Sequence, residues 1–106
     1  MNNFLDELKN LFPEFNTEWD INELPYLFFG DFACYIENNS NSIDMKNIDY
    51  ILNLFLELSF DKDSKENIVV AGFLEVLHDN EQLYKMLKDC SSKELKRIID
   101  TYMSII

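Results

Sequence analysis

Apolar residues recur at three- and four-residue spacings along almost the whole chain, and no other feature limits its fold so strongly. Phe4, Leu5, Leu8, Leu11 and Phe12 form a first apolar stripe, which Pro13 ends. Asn22-Glu23-Leu24-Pro25 reads as a second helix start, with proline in the first turn, where its missing N–H costs nothing. Leu27, Phe28, Phe32, Cys34, Tyr35 and Ile36 then make a broad apolar face, closed by the polar loop 38–42. Asp44 is placed to cap a third helix carrying Ile48, Ile51, Leu52, Phe55, Leu56 and Leu58 and ending near Phe60–Asp61. Asp63 or Ser64 can cap a fourth helix running to about His78, with Ile68, Val69, Ala71, Phe73, Val76 and Leu77 on its apolar side. Gly72 inside that helix costs roughly 1 kcal/mol against alanine, which points to close approach of a neighbouring helix. A short helix over Glu81–Lys88 follows. Ser91 or Ser92 caps the last one, which bears Leu95, Ile98, Ile99, Tyr102, Met103 and Ile106. Two glycines and two prolines are too few for the tight turns of an all-β sandwich or barrel. The expectation is an all-α, compact single domain over 1–106, built of five to six short antiparallel helices, with HEAT-like αα-hairpins as one way to stack them.

Charge is distributed unevenly along this pattern. Residues 10–45 contain no lysine or arginine but carry Glu14, Glu18, Asp20, Glu23, Asp31, Glu37 and Asp44, together with the only tryptophan, Trp19. The N-terminal 45 residues hold nine acids against one base, most of a net charge of −11. Self-repulsion opposes compaction, so a concentration of acids invites either a solvating role or a positively charged partner. The same charge argues against direct binding to nucleic acid or an anionic membrane. Five of the nine bases, Lys85, Lys88, Lys93, Lys96 and Arg97, crowd the C-terminal part, where they complement helix ends and the acids Asp89, Glu94 and Asp100. The N-terminal segment has Asp6 and Glu7 where a secretory signal would carry bases and an apolar run, and the longest apolar stretch, 68–74, is far shorter than a bilayer span. A cytoplasmic location follows as the expectation, and Cys34 and Cys90 are expected to be reduced and buried.

Chemistry-bearing motifs are sparse. Glu75-Val76-Leu77-His78 has the spacing of a di-iron ligand pair, but such a site needs the motif twice and His78 is the only histidine. A helix-end histidine facing the dipole is the better account. Asp61-x-Asp63 opens like a calcium loop, yet Glu66 stands at its sixth position and Gly72 at its twelfth. Neither cysteine has a sequence signature linking it to His78, and Gly30 and Gly72 cannot make a glycine-rich phosphate loop. No cofactor, no metal and no catalytic residue is therefore expected.

The stretch Leu24-Pro25-Tyr26-Leu27-Phe28-Phe29-Gly30-Asp31-Phe32-Ala33-Cys34-Tyr35, with Glu66–Leu77 downstream, resembles a family of small bacterial all-helical domains of unknown function, similar to the immunity proteins of bacterial toxin systems. That resemblance implies an all-helical cytoplasmic domain without a cofactor and carries over no functional residue. Joined to the charge pattern, it leads to the expectation of a non-enzymatic immunity protein. Such a protein would neutralise a basic toxin domain, a nuclease first among the classes, through Glu18, Trp19, Asp20, Glu23, Asp31, Glu37 and Asp44. Trp19 is equally consistent with a core contact and with an exposed anchor. The alternatives are a phage-encoded nucleic-acid mimic that inhibits a defence nuclease, and an adaptor whose groove around Phe28, Phe29 and Phe32 binds an amphipathic peptide. A small enzyme would instead require a pocket that joins His78 to convergent acids.

Overall fold

The computed structural model describes the backbone of residues 4–57 and 62–103, and the side chains of 4–57 and 65–101. Its secondary structure is helical throughout: α1 (Phe4–Leu11), α2 (Pro25–Asn38), α3 (Met45–Glu57), α4 (residues 62–78), α5 (Glu81–Cys90) and α6 (Lys93–Met103), with a single 3₁₀ turn at Ser40–Ser42. Among the described residues there is no strand, so the all-α expectation holds. The expected end of α3 near Phe60–Asp61, the Asp61-x-Asp63 loop and the side chains of Leu58, Asp63, Ser64, Tyr102, Met103 and Ile106 lie outside the described residues.

Local chemistry explains most of the boundaries. Pro25 occupies the first turn of α2, and at the other end the Asn39 side-chain amide donates to the Tyr35 carbonyl at 2.8 Å. Asp44 Oδ1 accepts the Lys46 N–H at 2.9 Å, the N-cap anticipated for α3. Asn80 caps α5 by accepting the Leu83 N–H at 3.2 Å. The start of α6 is held from outside: Ser92 N–H donates to Asp49 Oδ1 at 3.0 Å, and Asn53 Nδ2 donates to Ser92 Oγ at 2.8 Å. Asp49 of α3 thus satisfies an orphan N–H at the helix start, and Asn53 of α3 holds the cap residue's hydroxyl. Ser91, the other candidate cap, turns back to donate from its hydroxyl to the Leu87 carbonyl at 2.6 Å.

Helix α4 changes character midway. It is α-helical over Lys62–Ile68 and Glu75–His78 and π-helical over Val69–Leu74, and the Glu75 N–H donates to the Val70 carbonyl five residues back. The wider turn lets Val69, Val70, Gly72, Phe73 and Leu74 all be buried, whereas Ala71, expected on the apolar side, is exposed. A regular α-helix would distribute six consecutive residues around nearly two turns and expose more of them. This segment packs principally on α2. A Cβ on Gly72 would stand 3.2 Å from the Phe29 Cβ and 3.3 Å from both the Cα and the carbonyl oxygen of Tyr26. The close approach inferred from the sequence is therefore real, and its partner is the first half of α2.

Aromatic rings tie the remaining helices together. Phe4 of α1, Phe29 of α2 and Phe55 of α3 form a triangle with centroids 4.7 to 6.1 Å apart. Phe32 extends the set to Phe73 of α4 at 5.5 Å and to Phe12 and Phe15 at 5.2 Å each. The edge and tilted geometries are those favoured by ring quadrupoles. Full burial of each such side chain is worth about 1.5–3 kcal/mol, so this cluster anchors four elements at once. Lys65 lays its ammonium 4.0 Å over the Phe55 ring, and burial lowers its pKa.

Three expectations need correction. Leu5 and Leu27 are each 46% exposed rather than core residues: α1 buries Phe4 and Leu8, and the buried face of α2 is set by Phe29, Phe32, Ala33 and Ile36, at i, i+3, i+4 and i+7. Leu27 falls on the opposite side. Both cysteines are free thiols, as expected, but both are exposed rather than buried. The peptide groove envisaged around Phe28, Phe29 and Phe32 is also absent in that form, since all three rings are core; Phe28 alone lines a surface cleft.

Candidate functional site

Residues 12–24 form no helix, yet they are firmly attached. Phe15 inserts edge-on between Phe28 and Phe32, and Trp19 and Ile21 rest half-buried on the core. Trp19 is thus a docked ring with a partly exposed edge, a resolution of its two possible roles. Thr17 is the polar fastener. Its hydroxyl donates to Asp31 Oδ2 at 2.6 Å and accepts the Trp19 N–H at 3.3 Å. Asp20 Oδ1 accepts the Asn22 N–H at 2.7 Å, and its carbonyl accepts the amides of Glu23 and Leu24, which turns the chain into α2.

The six acids and the tryptophan proposed for partner binding do not form one patch. Glu18, Trp19, Asp20, Glu23 and Asp31 belong to the attached segment and the side of α2 that receives it. Of these, Asp31 is half-buried and engaged by Thr17, and Asp20 is committed to a turn. Glu18 and Glu23 are exposed, as is the neighbouring Glu14. Glu37 lies about a third of a turn around α2 from Asp31, beside His78, Asp79, Asn80 and Glu81 at an open depression of about 570 Å³. Asp44 caps α3.

Sequence reasoning missed the apolar half of the surface. Leu24 (42% exposed), Tyr26 (49%) and Leu27 (46%) cluster at the start of α2, directly after the exposed Glu23. The stripe Phe29, Phe32, Ala33, Ile36 was the signal that could have found them, because at 100° per residue it leaves Leu24 and Leu27 outside the core face. Next to this cluster lies an open cleft of about 510 Å³ between α1, the 13–17 segment and Phe28. Leu5, Phe12 and Phe15 supply its apolar wall, and Lys9 and Glu14 stand on its rim.

A second depression is lined by residues of both charge signs. His78 contacts Tyr84 edge-on at 4.9 Å above this shallow depression of about 740 Å³, which also includes Glu81, Lys85, Lys88 and Asp89. Burial, and secondarily the Asp100 charge, raise the Tyr84 phenol pKa. No hydrogen bond joins His78 to a carboxylate among the described residues. Further along, Arg97 bridges Glu94 and the buried Glu66, at 2.8 Å in each case, and both hydrogen bonds raise the guanidinium's pKa. Lys88 pairs with Asp100 at 3.6 Å. Lys88 and Arg97, two of the five C-terminal bases, are thus internally paired, whereas residues 10–45 contain no base beside the exposed acids.

Among the described residues, no group of three His, Cys, Asp or Glu side chains could hold a metal ion, and no helix is long and apolar enough to cross a membrane. A comparison with curated proteins gave no match, and neither did one with solved structures. Residues 5–104 match the family described as a domain of unknown function, DUF7674, which covers both stretches that carried the family resemblance. The chain belongs to that DUF7674 family.

Proposed function

We propose that this chain is a non-enzymatic binding protein, an immunity protein that neutralises a basic bacterial toxin domain by covering it with the acidic side of its N-terminal half. The observation that carries the reading is the pairing of exposed acids with exposed anchors. Glu14, Glu18 and Glu23 project from a segment clamped to the core by Phe15, Trp19 and Thr17, next to the outward-facing Leu24, Tyr26 and Leu27. Carboxylates accelerate encounter with a cationic surface, and desolvated apolar and aromatic groups then lengthen the life of the complex. Holding the acids on an attached segment lowers the entropy lost on docking. Nucleases head the classes of target because their phosphate-binding grooves are basic.

The nucleic-acid mimic rests on the same charges. The exposed apolar trio favours a protein anchor over mimicry of a phosphate backbone alone. The deciding experiment is co-purification with the product of the adjacent gene. A basic protein that forms a salt-sensitive, stoichiometric complex and loses activity in it supports the immunity reading. A complex with unchanged toxin activity, or none, contradicts it.

A further inference from the structure

The cleft between α1, the 13–17 segment and α2 continues into the exposed leucines of α2. Leu24, Leu27, Phe28 and Asp31 recur at i, i+3, i+4 and i+7 and make one stripe along that helix. Phe28 lines the cleft, and Asp31 is joined to Thr17, which lines it too. The stripe and the cleft meet at Phe28: Leu5, Phe12, Phe15 and Phe28 supply the cleft's apolar wall beside the polar Asn16 and Thr17, and Leu24 and Leu27 precede Phe28 at helical spacing. Glu14 lines the cleft, Asp31 is bonded to its Thr17, and the chain next to it bears Glu18 and Glu23, against the single base Lys9.

We infer that this surface is a socket for one amphipathic helix of a partner protein, with a leucine-sized side chain in the cleft and lysine or arginine on its flanks. This rests on the binding-protein reading and specifies the partner's contact element. Three observations select that occupant. Sign is set by the acids: an acidic helix would be repelled by a net charge of −11, and a neutral one would gain nothing from the margin. Secondary structure is set by the absence of any strand among the described residues, which leaves an extended peptide no edge to pair with. Shape is set by α2 itself, whose exposed i, i+3 leucines form the ridge that a second helix packs against. The cleft, open and about 510 Å³, has room for one large apolar anchor and suits a side chain presented by a partner.

The test uses the full chain and a synthetic helical peptide of leucine and lysine, with its leucine–glutamate counterpart as control. Amide chemical-shift mapping is combined with titration by Trp19 fluorescence, Trp19 being the sole tryptophan and next to the socket. The expected result is that the lysine peptide shifts Leu5, Phe15, Leu24 and Leu27, and that the glutamate peptide does not bind. Leu5→Ser and Leu27→Ser, both at exposed positions that leave the core intact, should each weaken binding about tenfold or more. Shifts confined to another face, or unchanged affinity in both variants with their native spectra preserved, overturn the socket. Failure is separable from failure of the toxin reading. Socket binding without a toxin in the adjacent gene removes the immunity assignment only, and a toxin complex whose shifts avoid Leu5 and Leu27 removes the socket only.

Discussion

Gly72 is the residue on which the packing of α2 against α4 turns. Alanine would gain about 1 kcal/mol of helix propensity, but its methyl would meet the Cβ of Phe29 and two backbone atoms of Tyr26 at 3.2 to 3.3 Å. Backbone cannot rotate aside, and overpacking of this kind costs about 1–3 kcal/mol. Gly72→Ala should therefore destabilise the fold by about 1 kcal/mol net, read as a lower urea midpoint at unchanged slope. Tyr84 supplies a pH-dependent counterpart. Because folding raises its phenol pKa above 10.0, the folded state holds a proton that the unfolded chain has released. Stability should fall as the pH climbs past 10.0 through the raised value. Tyr84→Phe should remove that slope. Asp100→Asn should lower the phenol pKa in an NMR titration without restoring 10.0, since burial is the larger cause.

At the scale of elements, Thr17 and Asp31 decide whether the 12–24 segment is a platform or a loose loop. Thr17→Val keeps the shape and loses the 2.6 Å bond to Asp31. It should cost about 1 kcal/mol and raise hydrogen exchange in residues 17–24, while α3 and α6 remain protected. The helices themselves were legible because periodicity and caps agreed: Pro25 started α2, Asp44 capped α3, and Gly72 marked the tightest contact. Three features were not. The π-helical stretch depends on burial of neighbouring residues against α2, which no local spacing encodes. The Asp49–Asn53–Ser92 bridge joins residues about forty positions apart. Leu27 was assigned to the core because its segment is apolar all round, and hydrophobicity alone does not say which side of a helix meets the protein. In the candidate site, the acids could be read from composition. What composition could not show is that Asp20, Asp31 and Asp44 also hold backbone or side-chain groups in place, Asp20 while remaining exposed alongside Glu14, Glu18 and Glu23.

For the whole molecule the governing quantity is charge. A net −11 on 106 residues sets up self-repulsion that is screened within about 10 Å at 0.1 M salt. The melting temperature should therefore rise on adding sodium chloride, and the gain should shrink in a Glu14→Lys/Glu18→Lys/Glu23→Lys triple variant. The same field, concentrated in the first 45 residues, is the feature that a cationic partner would exploit. Its most direct test is the association rate of this chain with the basic protein that co-purifies with it, measured by stopped flow from low to high salt for the wild type and that triple variant. A fall of about tenfold or more in the variant's rate at low salt, with a flattened salt dependence and an unaltered fold, is the predicted result. An association rate equal to that of the wild type at every salt concentration would contradict the account.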